Sequence, residues 1–180
     1  MVAPTPQGRE QTRLATASAD HRAAIREYLA AAARIPTSVW VQPPEPGKWS
    51  PAQVTEHVAL AIESMRDEAR GAAPLPIRVP VWRRVMIRLQ FLPGILRQGT
   101  FPEGARSPRE IRPSNTPALQ PDLLERLTRA ASDLEKAVLS PAKDPPRYLT
   151  HPYFGRLSTL RAVRFLEMHA RHHLRQLRHE

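Results

Sequence analysis

Proline decides where this chain can form long helices. It has 20 prolines, yet residues 10–34, 52–70, 122–139 and 158–178 contain none. A residue that lacks a backbone N–H and has a locked φ ends or kinks a helix, so the proline-free stretches are the natural helical ones. Each also returns an apolar residue every three or four positions. In the first, Leu14, Ala17, His21, Ile25, Tyr28 and Ala32 recur while Arg22, Arg26 and Glu27 face outward; this predicts a helix over Glu10 to Arg34, ended by Pro36.

The second stretch has the clearest start. In Trp49-Ser50-Pro51-Ala52-Gln53-Val54, Ser50 suits the N-cap, Pro51 the first helical position and Gln53 the reciprocal capping-box position, with Trp49 and Val54 spaced as a hydrophobic staple. Val54, His57, Val58, Ala61 and Met65 then form one apolar stripe that fades near Gly71. The third helix should run from Pro121 to Leu139 on Leu123, Leu127, Ala130, Leu134 and Val138, closed by Pro141, Pro145 and Pro146. The fourth should begin near Ser158, with Val163, Leu166, His169, His173 and Leu177 on one face. Strand-like alternation is nearly absent, so the expected class is all-α, a four-helix bundle.

Between the second and third helices, residues 71–121 hold nine prolines, although Trp82 to Leu92 is apolar enough for a short helix. We read this stretch as a long proline-rich insertion, because structureless loops of such length are unusual inside a domain. A lid and a stiffened surface excursion both fit it. At 180 residues, residues 1–180 should form a single domain that buries roughly 70% of the unfolded surface.

The chain has no cysteine, which removes disulfides, thiolate metal sites and a cysteine nucleophile and leaves imidazole and carboxylate as ligands. The N-terminus MVAPTPQGREQTR lacks the apolar core of a secretory signal, and no run reaches the ~18 apolar residues that span a membrane; a cytoplasmic protein is expected. A net charge of +10 favours polyanions. The arginines are spread over every segment, however, and high genomic GC content produces the same arginine- and proline-rich composition, so nucleic acid is the weaker reading of that charge.

His169 and His173 stand four residues apart, so on a helix both rings can reach one point from the same face. No glutamate lies between them to act as a protease base. His57 is the best third ligand, since an unpaired imidazole on an apolar stripe is costly to bury, and three histidines leave an open, catalytic type of metal site. The residues alone leave a second reading standing, in which these are hydrogen-bonded core histidines and a chance surface pair.

The segment Gly47-Lys48-Trp49-Ser50-Pro51-Ala52-Gln53-Val54-Thr55-Glu56-His57, the turn His151-Pro152-Tyr153-Phe154-Gly155 and the run His169-x-x-x-His173-x-x-Gln176 together resemble the DinB family of four-helix bundles. The match covers helix two, the turn before helix four and helix four itself; helices one and three agree in pattern only. Arg171 and His172 depart from the family's usual arginine just before the second histidine of the last helix, and the insertion is longer than in compact members.

The resemblance implies one divalent metal ion held by His57, His169 and His173. Zinc or nickel is expected, while iron, manganese and cobalt also suit such a site. It further implies a metal-dependent enzyme acting on a small-molecule substrate, as a hydrolase or a low-molecular-weight thiol transferase. Fold alone does not choose between those reactions, and no catalytic residue beyond the ligands is singled out. The alternative is a non-catalytic basic binding protein, nucleic-acid-associated in stress response. A homodimer through a helix face is compatible with either. Of the other histidines, His21 is expected in the core, His151 in fixing its turn, and His172 and His179 in solvent. Gln176 is placed either to orient a ligand or to cap and pack.

Overall fold

The structure, a computed structural model, describes residues 5–102, 106–140 and 146–178. Helix α1 (Pro6–Ala32) starts where the Thr5 hydroxyl accepts the Gly8 amide at 3.1 Å, about one turn before Glu10. After Pro36 a single turn, α2 (Thr37–Trp40), buries Trp40. Helix α3 (Pro51–Ala69) has the expected capping box: Ser50 Oγ accepts from the Gln53 amide at 3.3 Å, and Gln53 Oε1 accepts from the Ser50 amide at 3.0 Å. Two of the orphan donors at the helix start are thereby satisfied.

The segment after α3 carries more helix than its prolines suggest. Helix α4 (Val81–Gln98) runs through Pro93 and stops at Gly99, whose φ of 64° is the left-handed cap. An internal proline disfavours a helix by about 3 kcal/mol. Here the helix is held on either side of it by Leu92 and Ile95, both buried. A 3-10 turn at Arg109–Ile111 follows and buries Ile111.

Helix α5 (Gln120–Leu139) buries the five residues its periodicity named, Leu123, Leu127, Ala130, Leu134 and Val138. Pro141 and Pro145, expected to close it, lie outside the described residues. A hairpin then departs from the all-α expectation: β1 (Tyr148–His151) pairs antiparallel with β2 (Gly155–Ser158), Leu149 opposite Leu157. Four-residue strands are too short to show a period of two, so only their turn was readable. Glu68 at the end of α3 accepts from the Thr150 amide at 2.7 Å and the Thr150 hydroxyl at 2.8 Å, which ties the hairpin to the helices. Helix α6 (Thr159–Arg178) completes the fold.

The molecule is thus mostly helical, and among α1, α3, α5 and α6 each helix touches two of the others. α1 packs on α6 and α5, and α3 packs on α5 and α6. Between them lie Tyr28, Ile62, Leu123, Leu127 and Leu166, all essentially inaccessible. The Tyr28 hydroxyl donates to Thr55 Oγ1 at 3.1 Å, and Thr55 Oγ1 donates in turn to the Pro51 carbonyl at 2.8 Å. The buried phenol is therefore satisfied, as a low-dielectric core requires.

Candidate metal centre

α3 and α6 each present imidazole from the middle of an apolar stripe. His57 follows Val54 and precedes Val58 on α3; His169 and His173 are one turn apart on α6. Their rings converge. His57 Nε2 lies 3.1 Å from His169 Nε2, and His173 Nε2 lies 3.0 Å from the same atom. The three residues are only 4%, 7% and 6% exposed, and one ring nitrogen from each falls within 4.8 Å of the others. In a tetrahedral zinc site with Zn–N distances near 2.0–2.1 Å, ligand nitrogens stand about 3.3 Å apart. The two measured separations are close to that edge length.

The protons show what the cluster lacks. His57 Nδ1 lies 2.7 Å from the Ile111 carbonyl oxygen, which can only accept, so Nδ1 carries the proton and Nε2 presents a lone pair. His173 Nδ1 likewise donates to Gln176 Oε1 at 2.7 Å, leaving its Nε2 bare. His169 Nε2 faces both lone pairs and can donate to one of them at most, while His169 Nδ1 is buried without a partner. Whichever nitrogen holds that proton, a buried lone pair or N–H remains unsatisfied, at a penalty of about 1–3 kcal/mol. A cation among the three Nε2 atoms would satisfy every lone pair directed there. The residues present therefore fit a metal ion.

Electrostatics favours the ligating form. Burial pushes the His169 and His173 imidazoles well below the usual histidine range, and neighbouring histidines push them further. Burial also lowers His57, opposed in part by its bond to the Ile111 carbonyl. All three are neutral near pH 7, and a neutral imidazole is what binds metal.

The other histidines separate into roles. His151 fixes its turn as expected: Nδ1 accepts from the Tyr153 amide at 3.1 Å and the Phe154 amide at 3.2 Å, and burial pushes its pKa down to about 3. His21 is core, 3% exposed, with Nε2 unpartnered and its pKa lowered by burial to about 4. His172 corrects the expectation of a solvent-facing ring. It is half-buried, its centroid 4.6 Å from that of Phe101, and its Nε2 accepts from the Gln176 amide nitrogen at 3.2 Å. The ring of Phe101 occupies the space that solvent would otherwise fill. His179 lies outside the described residues.

The three imidazoles line a cavity of about 2150 Å³ whose wall also includes Trp49, Phe101 and Tyr153. Its charged lining is one-sided: Arg34, Lys48, Arg83, Arg106, Arg112 and Arg178 against Glu45. None of these cations joins an ion pair among the described residues. Sequence reasoning missed the Ile111 carbonyl, because any residue supplies that group and only the chain path from α4 to α5 brings it to His57. It also missed these particular cations, which are dispersed along the chain with no spacing to mark them.

A sequence model of the DinB superfamily matches residues 20–177, a span that includes all three converging histidines. No curated protein and no solved structure matches the chain.

Proposed function

Because the chain belongs to the DinB superfamily, we propose that it is a divalent-metal-dependent enzyme, a single four-helix-bundle domain whose ion is held by His57, His169 and His173. One observation carries the reading: three buried Nε2 atoms face one another with no internal arrangement of protons that satisfies them. A divalent ion supplies the Lewis acidity that makes water or a thiol nucleophilic near neutral pH. The protein's own contribution is positional. The Ile111 carbonyl and Gln176 hold His57 and His173 in the tautomer that directs Nε2 inward, while Trp49, Phe101 and Phe165 pack around the rings and limit water on those sides.

We read the reaction as attack on a small molecule, hydrolysis or thiol transfer, with zinc or nickel as the metal. The cationic lining of the cavity supports a substrate or thiol cosubstrate that carries an anionic group, since such a group would find unpaired guanidinium donors there. Elemental analysis of the purified protein beside His57→Ala, His169→Ala and His173→Ala tests the ligand set. The parent should hold close to one ion per chain and each variant substantially less. Full occupancy in all three variants would remove the reading.

A further inference from the structure

Half of the exposed large apolar residues among the described residues lie in one stretch of α4. Val81, Trp82, Val85, Met86 and Leu89 are 64%, 67%, 48%, 59% and 72% exposed. At 100° per residue Trp82, Val85, Met86 and Leu89 fall on one face, which is the outer one, because Ile87 and Phe91 on the opposite side of α4 are half-buried against the core. The stripe cannot fold inward. Arg88 Nη1 donates to the Arg156 carbonyl at 2.9 Å, and the side chain of Arg84 lies against Gly155, so the hairpin clasps the inner side of the helix.

The charges beside the stripe are of a single sign. Helix α4 contains Arg83, Arg84, Arg88 and Arg97 and no acidic residue, and none of these arginines joins an ion pair among the described residues. Arg83 borders the stripe, and Arg97 lies on the same side of the helix about two turns beyond Leu89. An apolar face containing tryptophan, bordered by arginine on a helix without acids, is the composition of helices that lie in a bilayer interface. From these observations we infer that α4 is a docking face for the surface of an anionic lipid bilayer. Trp82, Met86 and Leu89 enter the acyl boundary, and Arg83 and Arg97 meet the headgroup phosphates.

Charge decides against the other occupants of such a face. A second copy paired antiparallel through the same stripe would set Arg83 and Arg97 against arginines of equal sign in an isologous contact, on a chain that carries +10 overall. That same net charge draws the chain toward an anionic surface before contact. No described helix is long and apolar enough to cross a membrane, and surface docking needs none. The inference uses none of the three histidines and shares only Arg83 with the cavity lining, so vesicle binding and metal occupancy are tested separately.

Co-sedimentation of the full chain with phosphatidylcholine vesicles, with and without phosphatidylglycerol, tests it. The parent should pellet with the anionic vesicles and be released by salt. Arg83→Gln with Arg97→Gln should weaken binding about thirtyfold, and Trp82→Ala with Met86→Ala and Leu89→Ala should weaken it about tenfold or more, with far-ultraviolet circular dichroism unchanged. Three outcomes overturn the inference: a parent that ignores anionic vesicles, equal binding by parent and stripe variant, or a dimer in sedimentation velocity that the stripe variant dissolves.

Discussion

Gln176 engages two histidines through one amide. Its oxygen accepts from His173 Nδ1 at 2.7 Å, and its nitrogen donates to His172 Nε2 at 3.2 Å. The first bond holds the His173 ring so that Nε2 faces the cluster, the orienting role that outer partners play for metal-bound imidazole. Leucine at this position would leave His173 Nδ1–H without its acceptor and the ring free to turn. Gln176→Leu is accordingly expected to weaken metal binding about 10–100-fold, measured by competition with a chromophoric chelator. Unchanged affinity would reduce the residue to packing. For His57 the matching acceptor is the backbone carbonyl of Ile111, which side-chain substitution cannot remove, so the two supports can be probed only unequally.

The same three-residue spacing recurs where α3 begins, in Ser50 and Gln53. Ser50 is 1% exposed and closes the capping box from the N-terminal side. Removing its hydroxyl strips the Gln53 amide of its acceptor where water has little access. Ser50→Ala should lower the unfolding free energy by about 1 kcal/mol, read as a shift of the urea midpoint at constant slope. His57 sits two turns farther along α3, inside a helix also held by α5 and α6, so that variant should retain its metal. Helix α4 shows the opposite balance: its proline opposes the helix locally, and burial of Leu92 and Ile95 overrides it.

Stability against acid belongs to the folded molecule as a whole, because burial sets it. His21 titrates near 6.5 in an unfolded chain and near 4 here. Above pH 6.5 the ring is neutral in both states and contributes no pH dependence. As pH falls from 6.5 toward 4, the unfolded chain takes up a proton that the folded chain refuses, so stability falls. The shift corresponds to about 3 kcal/mol, fully lost below pH 4. His151, lowered to about 3, extends the loss to more acid pH. Melting temperatures from pH 7 to pH 4 should therefore drop steeply for the parent and less for His21→Leu, which removes both the titration and the unpartnered Nε2. Parallel curves for the two proteins would refute this origin of acid lability.

Short-range chemistry was legible in the residue order. The start of α3, the buried stripes of α1, α5 and α6, and the inward direction of His57, His169 and His173 follow from capping and a 3.6-residue period, and both signals act over a few neighbours. The hairpin, the passage of α4 through Pro93 and the partial burial of His172 were not legible, because each depends on contacts with distant segments: Glu68 with Thr150, Leu92 with the core, Phe101 with His172. The meeting of three imidazoles divides between the two levels. Periodicity could place one ring on α3 and two on α6, but only the packing of those helices brings nitrogens more than a hundred residues apart to 3.1 Å. Register between helices is set by the shape of the whole core, and no local pattern encodes it.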